Sequence, residues 1–188
     1  MGFSPLRTAY ISHQNCLEHD TGQAHPECAS RLSAIEDKLL LSGLSDFLRN
    51  VEAPEVTQEQ LLRVHTAGHL ANMEAMMPRE GYAKLDPDTV VSPQTMQAAK
   101  RAAGAVVSAV DRVMSGEVDN AFCAVRPPGH HAESDRAMGF CIFNNLAVGA
   151  AHALATYDIE RIAILDFDVH QGNGTEDIFA GHEKVLYC

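Results

Sequence analysis

Apolar positions recur along this chain in two rhythms, one of strands and one of helices. Ala9-Tyr-Ile-Ser-His13 is a short apolar run that predicts a strand, and Gln14 to Pro26 reads as a polar loop rich in His, Asp and Gly. From Glu27 to Leu44, the residues Leu32, Ile35, Leu39 and Leu40 recur at helical spacing, with Gly43 as a stop. Thr57-Gln-Glu-Gln60 places Gln three residues after Thr, as in a capping box, ahead of Leu61-Leu62. A further helical stretch, His69 to Met77, is expected after a break at Gly68. Asp86-Pro-Asp88 is turn chemistry. Ser92 then caps the longest predicted helix, with Pro93 in its first position and an end near Met114 before Ser115-Gly116. Ala103, Val106, Val107, Val110 and Met114 mark its buried face.

Ala121 to Val125 is a compact apolar strand, and the loop Arg126 to Gly139 follows it. Asn144 to Thr156 is a helix of small residues, suited to close packing on a sheet. Arg161-Ile-Ala-Ile-Leu-Asp166 is apolar without alternation, the pattern of a parallel strand covered on both faces. Strands and helices in alternation predict an α/β domain with a largely parallel sheet flanked by helices. The last residues, Lys184-Val-Leu-Tyr-Cys188, form an apolar strand-like run with no turn behind it. The expectation is therefore a truncated chain, with residues 1–188 the N-terminal part of a single larger domain.

Composition narrows the class. The 188 residues carry a net charge of −11, which disfavours nucleic-acid partners and favours cationic ligands such as polyamines or Lys-rich peptides. No apolar run approaches the roughly 18 residues of a membrane span, and the start lacks a charged segment followed by an apolar one. A cytoplasmic location is the expectation. The five cysteines show no CxxC spacing, so reduced core thiols are expected rather than a disulfide scaffold or zinc knuckle.

Two segments carry candidate chemistry. In Asp166-Phe-Asp168-Val-His170, polar residues alternate with apolar ones directly after a strand, so an extended chain aims all three to one side. Carboxylate and imidazole donors suit Zn²⁺, with Fe²⁺ or Co²⁺ also acceptable. Gly172-Asn-Gly174 behind them reads as a tight turn, and the bland alternative for the run is a polar strand end that merely caps a helix. The second segment is Arg126-Pro-Pro-Gly-His-His-Ala132, where two prolines and a glycine restrain the backbone around His130 and His131. Adjacent imidazoles can divide labour, one accepting a proton and the other lending positive charge. A plain surface pair is the competing reading for this loop taken alone.

These two segments, together with Gly139-Phe-Cys141 and Asn144, resemble the signature motifs of the histone deacetylase family. The similarity is nearest to the class II-like branch, which includes bacterial acetylpolyamine amidohydrolases, and weaker agreement runs through His25-Pro-Glu27, Arg31-Leu32 and Val64-His-Thr66. The resemblance implies the arginase/deacetylase-like fold, a three-layer parallel sheet between helices, and removal of acetyl groups from acetylated lysine or polyamine-type amines. It implies that Asp168 and His170 are two of three ligands to a catalytic zinc. It makes His131 the general base, with His130 and Asp166 a supporting pair. Phe140 would wall a narrow tunnel beside Gly139, and Asp88 would grip substrate at the rim. Potassium would bind at Asp166 and the backbone of Asp168 and His170.

Asn173 stands where some family members have an Asp beside the second histidine, and Gln171 replaces a common His. The third ligand and the oxyanion-stabilising tyrosine of the family are not matched in this chain. Tyr187, expected to be buried in its strand, is not that residue. The chain alone is therefore expected to bind metal weakly and turn over slowly. A non-catalytic acyl-amine binding or sensor module is the alternative, and homo-oligomerisation stays open. His65 and His69 are expected at a helix end, and His13, His19 and His25 in a rim loop. His152 and His182 read as structural, Cys141 as packing, and Met73, Met76 and Met77 as core filler.

Overall fold

The computed structural model describes residues 6–188; the reading of the first five residues as no signal segment lies outside them. In chain order the elements are β1 (Thr8–Ser12), α1 (Asn15–Glu18), α2 (Ser30–Leu41), a 3₁₀ turn (Leu44–Phe47), β2 (Leu48–Glu52), α3 (Gln58–Leu61), α4 (Ala67–Met76), β3 (Ala83–Lys84) and β4 (Val90–Val91). Then come α5 (Thr95–Met114), β5 (Asn120–Cys123), α6 (Asn145–Thr156), β6 (Ile162–Ile164), α7 (Asn173–Phe179) and β7 (Val185–Tyr187).

β1 lies between β2 and β5, parallel to both, with Ile11 opposite Val51 on one side and Cys123 on the other. The two faces of β1 have different neighbours, because side chains alternate along a strand. Ala9 and Ile11 are fully buried with Ala105 of α5, while Tyr10 packs with Cys16 and Leu32 on the opposite side. A sheet between two helical layers follows. Behind it, Ala99, Ala103 and Val107 of α5 meet Ala147, Val148 and Ala150 of α6 in the largest apolar cluster, where small residues bring the two helices close.

The parallel sheet comes in two pieces. Among the described residues β6 pairs in parallel only with β7, and β5 does not bond to β6. Leu165, Phe167, Val169 and Leu186 are consequently exposed, Phe167 at 94%. The expected covering of both faces of the run at 161–166 does not hold, since no layer packs over its outer face among the described residues.

Helix boundaries differ from expectation for local reasons. α2 begins three residues after Glu27, whose carboxylate is committed to an ion pair, and past Leu32 its apolar residues Leu40 and Leu41 are exposed. The capping box at Thr57 is present, with the Thr57 hydroxyl accepting from Gln60 N–H at 3.2 Å and Gln60 Oε1 from Thr57 N–H at 2.9 Å. Gly68 is no break. Thr66 caps α4 through the N–H of His69, so Gly68 sits in the first turn, where no intrahelical bond is lost.

α5 starts at Thr95, not Pro93. The Thr95 hydroxyl accepts from Ser92 N–H at 2.8 Å, and the Ser92 hydroxyl accepts from Asp20 N–H rather than capping the helix. Its last turn, with Met114, is exposed, as is Met76, while Met73 is buried. β2 escaped the sequence reading because an edge strand of sequence LRNVE has only two apolar positions. Among the described residues no helix is long and apolar enough to cross a membrane.

Candidate functional site

The loop after β5 is anchored by a buried charge pair. Arg126 is fully buried and donates to both carboxylate oxygens of Glu27, at 2.6 and 2.7 Å, and to the carbonyl of Cys16 at 2.9 Å. Such a pair, once formed, is costly to break from one side, because the remaining charge is left in apolar surroundings. Arg126 is thus an anchor between the loop at residues 126–139 and the N-terminal loop. His19 lies 3.5 Å from Glu27, and burial pushes its imidazole down to about 4.

His130 and His131 leave this anchored loop with ring centroids 4.1 Å apart. His130 Nδ1 lies 2.9 Å from Asp166 Oδ2, which also accepts from the Tyr187 hydroxyl at 3.1 Å. Burial raises the Asp166 carboxyl, but hydrogen bonds from His130, the Asp168 N–H and Tyr187 outweigh it and hold it below the ordinary carboxylate range. Tyr187 is only half-buried; its hydroxyl also accepts from the Gly172 N–H at 3.0 Å. His131 Nδ1 lies 2.7 Å from Asn173 Oδ1. Asn173 opens α7, so the run at 172–174 is a helix start and not the expected tight turn. Gly174 is required there, because a side chain would collide with the Ala132 carbonyl.

Gly139 has φ +56°, and a Cβ on it would strike the His131 ring; both facts select glycine. Phe140, at φ +70°, is held by its N–H to Thr89 Oγ1 at 3.0 Å, and its ring meets His25 edge-on at 4.9 Å. His25 Nε2 in turn lies 3.0 Å from the Asp88 carbonyl oxygen, so Asp88 stands on the same rim as Phe140. Hydrogen bonding with the Asp86 side chain raises the Asp88 carboxyl above its ordinary range.

Asp168 and His170 are held differently. The segment after β6 bends, with Asp168 Oδ1 accepting from the His170 N–H at 2.8 Å, so the expected extended alternation is replaced by a turn. That bond, the largest cause, lowers the Asp168 carboxyl. His170 Nδ1 lies 3.2 Å from Asp168 Oδ1, and its ring is 6.0 Å from that of His131. The side chains are 49% and 73% exposed. One ionised oxygen and one ring nitrogen side by side suit zinc in kind. In number they fall short: among the described residues no three His, Cys, Asp or Glu converge as metal-holding groups.

Both motif loops therefore meet, with His130 against Asp166 and His131 beside His170. A histone deacetylase domain is matched over residues 25–188. The chain belongs to the histone deacetylase family. It is 37% identical to the histone deacetylase-like amidohydrolase of Pseudomonas aeruginosa over 197 residues, covering 96% of this chain and 52% of that protein. It is 36% identical to the mouse (Mus musculus) polyamine deacetylase HDAC10 over 191 residues, covering 97% of this chain and 29% of that protein. The crystal structure of the HDA15 HD domain superposes with a TM-score of 0.91 at 36% identity, covering 97% of this chain and 53% of that one. The arginase/deacetylase-like fold is thereby established, and the chain spans about half the length of the Pseudomonas relative.

Several supporting residues have roles that the local sequence does not state. His65, expected only at a helix end, is buried and bridges two site segments: its Nδ1 lies 3.0 Å from the Glu133 carbonyl and its Nε2 accepts from the Asn144 N–H at 2.9 Å. Burial pushes its imidazole down to about 4. The Asn144 side chain caps α6 and donates to the Ala132 carbonyl and to Thr175 Oγ1. Cys141 is buried packing, its thiol pushed up to about 12 by burial. His152 is structural, bonded to Asp111 at 2.6 Å.

Proposed function

We propose that this chain carries the proton-handling part of an amidohydrolase site that removes acetyl groups from lysine- or polyamine-type amines. The observation behind this reading is the pairing of adjacent histidines with different partners, His130 with Asp166 and His131 with Asn173, beside the Asp168–His170 donor pair. Asp168 Oδ1 and His170 Nδ1 would hold zinc, with iron or cobalt the other metals such donors accept. Zinc bound there supplies polarisation of an amide carbonyl and acidification of water. His131, donating through Nδ1, keeps Nε2 free to take a proton and return it to the leaving amine. His130, against the Asp166 carboxylate, supports positive charge beside developing negative charge. Gly139 and Phe140 would line the acyl-amine passage, and Asp88 would hold the substrate at the rim. Asp166 and the backbone of Asp168 and His170 would take potassium.

The net charge of −11 favours cationic substrates over nucleic acids, and we propose a cytoplasmic location. The test is release of acetate from an acetyl-lysine peptide and an N-acetylpolyamine by the 188-residue chain as zinc is titrated. Slow, zinc-dependent hydrolysis that His131→Ala abolishes is expected, with the missing oxyanion donor costing about 10²–10³ in rate. No hydrolysis at saturating zinc, or hydrolysis indifferent to His131→Ala, overturns it. A second reading, an acyl-amine binding module without turnover, is favoured by the two-donor cluster. Calorimetric binding of acetylpolyamine with no acetate release would select it.

A further inference from the structure

We propose that Glu133 is a positioning residue for His131, acting through the Asn173 amide. Its functional meaning rests on the hydrolase reading above; its geometry does not.

Asn173 faces two groups. Its Nδ2 donates to Glu133 Oε1 at 2.9 Å and lies 3.4 Å from Met138 Sδ, while its Oδ1 lies 2.7 Å from His131 Nδ1. An amide has no inherent preference for which end it turns to a histidine, since an imidazole nitrogen can either donate or accept. A carboxylate has no such freedom: it only accepts. Glu133 therefore draws the amide nitrogen to itself and leaves the oxygen for His131. That oxygen in turn requires His131 to carry its proton on Nδ1, so Nε2 keeps its lone pair. Reversing the amide would place N–H groups against Nδ1 and move the imidazole proton to Nε2, which would block it as a proton acceptor. In this arrangement a neutral Asn does by orientation what a charged partner does by attraction.

Glu133 is itself fixed. Its N–H donates to the Arg136 carbonyl at 2.9 Å, and its carbonyl accepts from His65 Nδ1 at 3.0 Å. His65 has one tautomer available, because its Nε2 already accepts from the Asn144 N–H. The neighbouring Ser134 carbonyl accepts from the Thr66 N–H at 2.9 Å. Residue 133 is thus tied by its backbone to the segment before α4, and its side chain is directed at Asn173 without taking part in the histidine pair directly.

The experiment reads the His131 imidazole nitrogens by long-range ¹H–¹⁵N NMR on the 188-residue chain labelled at histidine, at a pH where the ring is neutral. The native chain is expected to show an unprotonated Nε2 and a protonated Nδ1. In Glu133→Ala the Nε2–H form should rise to roughly half or more of the neutral ring, because nothing then orients the amide. Glu133→Gln should show the same mixture as Glu133→Ala, because a Gln amide can turn either its oxygen or its N–H to Asn173. Glu133→Ala with Asn173→Asp should restore it fully, because a carboxylate at 173 needs no orienting neighbour. Glu133→Met, which keeps the side-chain volume but removes the oxygens, must behave as Glu133→Ala does and serves if the alanine variant fails to fold. An unchanged His131 spectrum in Glu133→Ala or Glu133→Met overturns the proposal and leaves the hydrolase reading standing. Absence of zinc-dependent hydrolysis together with a shifted spectrum does the reverse.

Discussion

His130 and His131 each bond to a partner that is itself bonded elsewhere, whereas Asp168 and His170 bond chiefly to each other. Asp166 is shared among His130, Tyr187 and the Asp168 N–H, and Asn173 between His131 and Glu133. Behind them stand buried His65, Asn144 and Arg126. Asp168 and His170 have no such backing, and Phe167 and Val169 beside them are more than nine-tenths exposed. The histidine half of the site is tied to several neighbours before any ligand arrives, and the half with the Asp168 and His170 donors is left open to solvent. Orientation of an imidazole must be set by fixed neighbours, while a metal ion can order its own ligands when it binds.

Lowering the pH should strike the backed half hardest. His19 and His65 are buried and neutral, with imidazoles at about 4 against an ordinary 6.5. Between those values the unfolded chain takes up protons that the folded chain refuses. Stability should therefore be full above pH 6.5, fall as the pH drops, and level off below about 4. The full loss is roughly 3 kcal/mol for each imidazole. Urea denaturation at pH 7.5 and pH 4.5 checks the sign; equal midpoints would show that these rings are not held neutral.

Arg126→Ala should come next. It strands the Glu27 carboxylate, costing about 3–5 kcal/mol, and loosens the loop that bears both histidines. The check is a thermal melt, with Arg126→Met and Glu27→Leu combined expected to cost less than either change alone. Gly139→Ala should cost about 1–3 kcal/mol from its left-handed backbone and also displace the His131 ring. Histidine side-chain NMR beside a melting curve separates those two effects.

Substitutions in the open half should barely register in stability. Asp168→Ala and His170→Ala are expected to fall within about 0.5 kcal/mol of the parent, yet each should abolish measurable zinc binding in a calorimetric titration. A large stability loss there would erase the contrast between the halves.

The residues that were legible in advance were those whose type and local spacing already state a purpose. The Thr57 capping box and the pair of motif loops belong to this class, because hydrogen-bond chemistry within a few residues decides them. The start of α5 was misread because the Thr95 hydroxyl, not the Ser92 one, closes the turn, and His19, distant in sequence, bonds to that same hydroxyl. Glu133 directly follows the Arg126–Ala132 motif and His65 lies within Val64-His-Thr66, yet neither was given a site role, because local order does not state what either side chain touches. Their partners, Asn173 and Asn144, lie 40 and 79 positions away.

The amino-acid order alone determined the α/β class, the family, and the histidine and Asp-x-His prongs, since each depends on periodicity or on side-chain type in a short run. Tertiary structure alone decided which amide end faces His131, which imidazoles stay neutral, and which strands pair among the described residues. Those outcomes depend on burial and on donors and acceptors brought together across long chain separations, where desolvation leaves few pairings without penalty.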